Sequence, residues 1–326
     1  MFPEFYILFI LMRYFQTRFS PKWIGTSLDN SIESIKAHSG NITSIHFNSD
    51  GSLLASGSKD RTVKLLSTDS YEIIHIFKHK SAIFDFLFNM DSSMLFVIER
   101  SFHRAELTIW SLHTNKILAS FIEYSGSIFC CAISSDMKTL AYGTYKSIKL
   151  YDLVDFRIIK TINNIWKPRF IMFSTNNESL IVSNYVENYV IDVLTLSTNK
   201  KKSIIATDGS LKFFTSYSSN KDANIIATGS WMGTVDLWSF GNEKLIKCFP
   251  GPIEPVRKLS ISPDGKILIS IGAFNTLNIW DIESGEYLSL IDIKSGITSM
   301  DFHPTKKIIA CGCYDNSIRF WRYSNI

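Results

Sequence analysis

Along Val256 to Gly285 apolar residues recur at near-alternate positions: Val256, Leu259 and Ile261, then Ile267, Ile269 and Ile271, then Leu277, Ile279 and Ile282. Pro263-Asp264-Gly265 separates the first run from the second, and Gly272 to Asn275 separates the second from the third. In an extended chain successive side chains point to opposite faces, so this pattern predicts strands with a buried side, and Pro, Asp and Gly supply the turns. The stretch reads as an antiparallel meander whose last strand ends in Ile279-Trp280-Asp281.

Six other segments repeat the pattern less cleanly. Aligned on Trp280, they place Leu66, Trp110, Tyr151, Ile191, Trp238 and Trp321 at the same position, with successive spacings of 44, 41, 40, 47, 42 and 41 residues. A further strand follows most of these positions, as in Glu72 to Phe77 and Lys244 to Phe249. Four short strands per repeat of about 40 to 45 residues is the pattern of a propeller blade, so the chain is expected to be an all-β, seven-bladed β-propeller. Only five residues follow Trp321, which leaves the last blade without an outer strand of its own. Ser31 to Ile35, upstream of the first repeat, is expected to fill that place and cover an edge that would otherwise stay unpaired.

Residues 31–326 are thus expected to form the propeller and residues 1–30 an apolar, irregular N-terminal extension. The run Phe5 to Met12 is eight residues long, far short of the ~20 a membrane helix needs. Glu4 precedes it and no small-residue cleavage site follows, so a packed tail or extra strand is expected rather than a signal. Blades two and four diverge most. Arg100 to Glu106 reads as a long turn in blade two, Ile165 to Arg169 introduces blade four, and Asn199 to Lys202 is expected in the turn before its outer strand.

Composition narrows the function. A net charge of +4, from 34 basic and 30 acidic residues, carries no strong commitment to nucleic acid or membrane. Cys130, Cys131, Cys248, Cys311 and Cys313 form no CxxC pair and are odd in number, which favours buried free thiols in a reducing compartment. The seven histidines are scattered over different repeats. Cys311 and Cys313 lack the further ligands of a zinc site, and no nucleotide-binding loop, nucleophile elbow or HExxH occurs. The expectation is a non-enzymatic protein with no cofactor, no metal and no small-molecule substrate.

Asp50-Gly51-Ser52-Leu53-Leu54-Ala55-Ser56-Gly57-Ser58, Ser262-Pro263-Asp264-Gly265-Lys266 and the terminal Trp-Asp or its substitutes make the chain resemble the WD-repeat (WD40) β-propeller family over residues 31–326. The resemblance implies a buried structural set of His, Ser or Thr, Asp and Trp in each blade. Blade one offers His38, Ser56 and Asp60 with Leu66 in the Trp place; blade five keeps Thr228 and Trp238 with Met232 at the acid; blade seven keeps Asp315 and Trp321 with Cys311 at the hydroxyl. Trp110, Trp280 and Asp281 are the other structural marks.

The resemblance also implies that partners dock on the narrow face, through the residue before the turn Asp and through the start of the innermost strand. The first position gives Lys59, Tyr145, Trp231, Phe274 and Tyr314, and the second gives Phe84, Phe129, Arg169 and Arg257, with Lys80, Lys146 and Lys167 nearby. Aromatic residues and arginine are enriched at binding hot spots. The expected function is a non-catalytic scaffold for acidic and apolar protein or peptide partners, a subunit of a larger complex, intracellular in cytoplasm or nucleus. One alternative is an RNA-associated propeller of a ribosome-biogenesis or RNA-processing complex. Another is a substrate receptor of a ubiquitin ligase, which the lack of Trp-Asp-x-Arg disfavours. Membrane association is not expected, and the adjacent arginines of phosphoinositide-binding propellers are missing.

Overall fold

The computed structural model describes residues 33–102, 104–124, 127–183, 190–206, 214–219, 225–239, 244–249, 254–273, 276–292 and 295–323. The 1–30 extension and Phe274 lie outside the described residues. Within them the chain forms strands and turns and no helix, in seven antiparallel four-stranded sheets.

The first strand is β1 (Glu33–Lys36). Blade one follows as β2 (Ile42–Phe47), β3 (Leu53–Ser58), β4 (Thr62–Ser67) and β5 (Ile73–Lys78). Blade two is β6 (Ala82–Phe88), β7 (Met94–Arg100), β8 (Ala105–Ser111) and β9 (Lys116–Glu123). Blade three is β10 (Cys130–Ile133), β11 (Thr139–Gly143), β12 (Ser147–Asp152) and β13 (Arg157–Asn163). Blade four is β14 (Phe170–Phe173), β15 (Ser179–Ser183), β16 (Val190–Thr195) and β17 (Lys201–Ala206). Blade five is β18 (Phe214–Ser219), β19 (Ile225–Ser230), β20 (Val235–Ser239) and β21 (Lys244–Phe249). Blade six is β22 (Val256–Ile261), β23 (Ile267–Gly272), β24 (Thr276–Asp281) and β25 (Tyr287–Asp292). Blade seven has three strands of its own, β26 (Ile297–Phe302), β27 (Ile308–Cys313) and β28 (Ser317–Arg322). Its fourth is β1, antiparallel to β28 with Glu33 opposite Phe320 and Lys36 opposite Ser317. The N-terminal strand therefore closes the ring.

One turn recurs between first and second strands. Asn48, Asn89, Ser134, Ser174 and Ser262 each accept the N–H that opens the second strand, at 2.9, 2.7, 2.9, 3.0 and 2.9 Å. Two residues on, Asp50, Asp91, Asp136, Asn176 and Asp264 cap the turn from inside. The next residue is left-handed in all five: Gly51, Ser92, Met137, Asn177 and Gly265, with φ between 57° and 79°. Glycine is free there, whereas Ser92 and Met137 accept strain on the order of 1 kcal/mol. Gly51 has a second reason: a Cβ would lie 2.3 Å from the His303 ring of blade seven.

The apolar core is a set of seven seams, each shared by two adjacent blades. Leu54 and Leu66 of blade one join Ala310, Ile318 and Phe320 of blade seven. Trp280 of blade six joins Leu237 and Phe249 of blade five, and Trp321 of blade seven joins Ile269 and Ile279 of blade six. Each large side chain removed from water in this way contributes roughly 2 to 3 kcal/mol. Gly57, Gly229 and Gly312 let the next blade's first strand press close: a Cβ on each would meet Ile83, Val256 or Ile42 at 2.7, 2.5 and 2.5 Å.

Strand register corrects three expectations. Leu54 faces Leu66, Leu140 faces Tyr151, Ile226 faces Trp238 and Leu268 faces Trp280; the same register in blade four sets Leu180 opposite Leu194. Leu194, not Ile191, holds the Trp place, so the flanking spacings become 43 and 44 residues. Ile191-Asp192 imitates Trp-Asp in sequence, but Asp192 is a buried mid-strand residue that accepts from Ser203 at 2.7 Å and pairs with Lys201 at 3.0 Å. In blade two the long turn is a short one, because β7 and β8 extend until Arg100 faces Ala105. In the lysine run, Lys201 and Lys202 belong to the outer strand β17. The five cysteines are free, but only Cys311 and Cys313 are buried and Cys248 is exposed.

Candidate functional site

The innermost strands carry a recurrent irregularity. In five blades the first strand bulges against the second, between Ile42 and Ser44, Ile83 and Asp85, Phe214 and Ser216, Val256 and Lys258, and Ile297 and Ser299. A bulge leaves one residue out of the ladder and re-aims its side chain. The bulged residues are Thr43, Phe84, Thr215, Arg257 and Thr298. In blades three and four Phe129 and Arg169 take the same place, donating their N–H groups to Gly143 O and Ser183 O at 2.9 and 3.0 Å. Thr43, Thr215 and Thr298 turn their hydroxyls onto the carbonyls of Gly57, Gly229 and Gly312 at 3.1, 3.1 and 3.0 Å. The other four blades replace this inward-turned hydroxyl by Phe84, Phe129, Arg169 and Arg257, of which both arginines are exposed.

The turn between second and third strands lies at the same blade edge. Register aligns Lys59, Tyr145, Trp231, Ala273 and Tyr314 at its first residue, and in blade two, where the ladder runs further, Arg100 at the end of β7 takes the same register. Ala273 holds this register position in blade six, and the expected Phe274, the next residue, lies outside the described residues. Arg100 is a member that the sequence concealed, because Arg100 to Glu106 looked like one loop. Trp231, Tyr314 and Tyr145 are 57%, 45% and 38% exposed, so these rings face solvent rather than fill seams, and Lys59 is exposed beside them. Phe84 and Phe129 are half-buried.

Contacts tie these residues into small groups. Tyr145 meets Trp166 edge to face at 5.7 Å between ring centroids, Lys146 Nζ lies 5.0 Å from the Trp166 centroid and Lys167 Nζ 4.8 Å from that of Tyr145. Trp166, 39% exposed, was not among the expected residues; a Trp before a lysine in a linker outside any strand was its only signal. Arg257 Nη1 donates to the Tyr314 hydroxyl at 3.2 Å. The Arg100 guanidinium lies 3.3 Å from the Phe84 ring centroid and 5.0 Å from that of Phe129, with Nε and Nη2 both donating to Ile128 O. Loss of hydration pushes its pKa down to about 10.

Three acidic residues described along this edge, Asp60, Glu99 and Asp315, are occupied internally. His38 Nδ1 lies 2.9 Å from Asp60 Oδ2 and its Nε2 lies 2.8 Å from Ser56 Oγ, while Thr62 donates to Asp60 Oδ1 at 2.6 Å. Burial pushes His38 below its ordinary pKa, so a neutral ring donates to Asp60 and accepts from Ser56. Asp60 is itself held low: burial opposes its charge, but the hydrogen bonds from Thr62 and His38 outweigh it. Blade two rebuilds the arrangement with other residues. Glu99 pairs with His79 at 2.8 Å and accepts the N–H groups of Lys80 and Ser81 at 3.0 and 2.8 Å. In blade seven Asp315 accepts from Ser317 Oγ and Arg319 at 2.5 and 2.6 Å. Among the described residues that register aligns, those toward solvent are basic and aromatic.

The other structural marks vary. Trp238 Nε1 donates to Thr228 Oγ1 at 2.9 Å. The indole N–H groups of Trp110, Trp280 and Trp321 meet no acceptor among the described residues. Leu66 fills the Trp place of blade one fully buried, and Asp281 caps the next turn by accepting the N–H and hydroxyl of Ser284 at 2.7 and 2.9 Å.

The axial channel, ringed by the innermost strands, holds a charge cluster. His46 of blade one lies 3.8 Å from Asp85 of blade two and 3.6 Å from Asp301 of blade seven. Ser44 donates to Asp85 at 2.6 Å, and Lys258 of blade six adds positive charge near it. His46 is surrounded by protein yet 39% of its side chain faces the channel. Burial works against its charge, but the facing carboxylates of Asp301 and Asp85 raise its pKa to about 9. Among the described residues no three His, Cys, Asp or Glu side chains are placed to hold a metal ion, and no helix is long and apolar enough to cross a membrane.

Comparison with known proteins agrees with this architecture. The family described as WD domain, G-beta repeat matches residues 29–67 and 288–322, the blades on either side of the closing seam. A WD repeat domain-containing protein 83 homolog of Dictyostelium discoideum is 25% identical over 88% of this chain and 96% of its own length. The small ribosomal subunit protein RACK1y of Oryza sativa subsp. japonica is 31% identical over 32% of this chain, and the match spans 31% of that protein. Protein groucho of Drosophila melanogaster is 33% identical over 26% of this chain and 12% of its own length. With seven four-stranded blades closed by the N-terminal strand, WD40 repeats matched at both ends of the ring and a WD-repeat relative aligned along most of it, the chain is a seven-bladed β-propeller that carries WD40 repeats and is similar to WD-repeat proteins.

Proposed function

We propose that this protein is a non-catalytic interaction platform that holds acidic and apolar protein segments on the face formed by the bulged innermost-strand positions and the turns between second and third strands. The observation that carries the reading is the exposure of Trp231, Tyr314, Trp166 and Tyr145 at blade edges where water-facing turns ordinarily carry small or polar residues. Lys59, Lys146, Arg169 and Arg257 stand among them, while Asp60, Glu99 and Asp315 on the same edge are bound to internal partners. Rings and guanidinium groups held by strands bury much area on contact and lose little entropy in doing so. WD-repeat relatives commonly serve as protein scaffolds, which is the background for a role within a larger complex.

Replacing Trp231 and Tyr314 together by Ala tests the reading. Affinity purification with the variant should lose partners that the intact chain captures, while the melting temperature stays within about 2 °C, because exposed side chains away from packed features rarely move stability by more than a few tenths of a kcal/mol. A double variant that unfolds would mean that these rings are core, and the platform reading would fall. A second reading has one specific support: the matches to proteins named as small ribosomal subunit components favour an RNA-associated setting. Its signature is RNA recovered with the chain in a steeply salt-dependent way, since phosphate contacts release counterions.

A further inference from the structure

We infer that Arg100 is the anchor for a carboxylate of the docked protein segment, an acidic side chain presented over blades two and three; this rests on the interaction-face reading above. Three other arginines have anionic partners, Arg319 with Asp315, Arg104 with Glu106 and Arg157 with Asp155, and Arg61, Arg257 and Arg322, which make no ion pair among the described residues, are exposed to water. Arg100 has no ion pair among the described residues. It is half-buried, one ring face of Phe84 lies 3.3 Å away, Phe129 flanks it at 5.0 Å, and the hydrogen bonds it makes converge on a single carbonyl, that of Ile128. A guanidinium carries five N–H donors, so this leaves donors unspent.

The nearby acids are not available to it. Asp85 is engaged by Ser44 and His46, and Glu99, the preceding residue, is taken by His79 and two backbone N–H groups. A cation stripped of part of its water and given aromatic faces but no anion is an incomplete site. A planar carboxylate matches its free edge, and because Phe84 and Phe129 already fix the fork, little side-chain freedom remains to be lost on binding. The position agrees as well: Arg100 occupies the same register as Lys59, Tyr145, Trp231 and Tyr314. The apolar walls and a net charge of only +4 favour a peptide over a nucleic acid strand.

The test uses the full chain and random dodecapeptides displayed on phage. Selected peptides are synthesised in acid form and with each acid changed to its amide, and affinities are measured for the wild type, Arg100→Gln and Arg100→Lys. The inference expects one Asp or Glu to recur at a fixed position, and its amide to bind wild type about tenfold or more weakly. Arg100→Gln should bind acid and amide alike, and Arg100→Lys should keep part of the preference. If Arg100→Gln fails to fold by thermal melt, Arg100→Lys carries the comparison, because loss of the planar fork alone should shrink the acid preference several-fold. Peptides without a fixed acid, or an undiminished acid preference in both variants, overturn the Arg100 assignment and leave the face reading standing. Failure to select any peptide sinks both. Displacement of the peptides by a dodecauridylate, lost in Arg100→Gln, would reassign the anchor to nucleic acid and overturn the inference as stated.

Discussion

His46 is a cation held between two anions from neighbouring blades, and its ordinary pKa of 6.5 rises to about 9 in the fold. A proton bound more tightly when folded stabilises the fold fully below 6.5, and that contribution is lost as pH rises through 9. Solvent in the channel screens the pair, so its worth is on the order of 1 kcal/mol. His46→Gln should therefore melt a few degrees below wild type at neutral pH, and the gap should close above about pH 10; melting curves across pH 6 to 10.5 read this directly, and a gap that stays constant would leave His46 only a packing role. Asp85 behaves in the opposite sense: burial opposes its charge, but the facing His46, the Lys258 field and the hydrogen bond from Ser44 hold it far below the usual carboxylate range. Its contribution is present at neutral pH and fades in acid. Blade five offers a second residue-level test. Thr228→Val leaves the Trp238 N–H without its acceptor and should cost about 1 kcal/mol, measured by urea unfolding, whereas Thr228→Ser should restore most of it.

The strand is the scale at which sequence and fold met most closely. Alternation at Ile267, Ile269 and Ile271 and the Pro263-Asp264-Gly265 turn predict β23 and the turn before it, and the repeat spacing predicts seven blades because each blade spends a similar length of chain on the same strand pattern. Register was less legible. Ile191 and Leu194 are both apolar and three residues apart, and only pairing with Leu180 decides which one faces the previous blade. Arg100 was missed for the same reason: a hairpin's length is set by the ladder on both sides of it, and a single chain segment does not display its partner. The half-buried stacking of Arg100 on Phe84, and the meeting of Trp166 with Tyr145 across a linker, are tertiary events with no local pattern. The closing strand was legible from a deficit, since five residues after Trp321 could not supply β1's place. Removing residues 33–37 uncovers the β28 edge and takes away buried Ala37 and half-buried Ile35 from the seam between blades seven and one. The melting temperature should fall by more than about 10 °C, given roughly 4 °C or less per kcal/mol in a chain of this size. Unchanged melting would show that β1 is dispensable.

For the molecule as a whole, stability and the proposed recognition lie on different surfaces. The seams between blades hold the large apolar side chains, and the blade edges hold the exposed rings and cations, so one set can vary with little effect on the other. Blade one shows the tolerance: Leu66 replaces the usual Trp and remains fully buried while His38, Ser56 and Asp60 keep their bonds. The pairing of β1 with β28 also sets a clock. The ribosome makes β1 first and its partner roughly 280 residues later, which at ~5 to 20 residues per second is on the order of 15 to 60 s of translation. During that interval six blades can stack while the first and the latest lack a neighbour, and a chain stalled before Ser317 presents two uncovered seams to proteases and chaperones. Synthesis of β28 is the event that lets β1 find its partner, so a copy that stops before it is expected to keep an open ring.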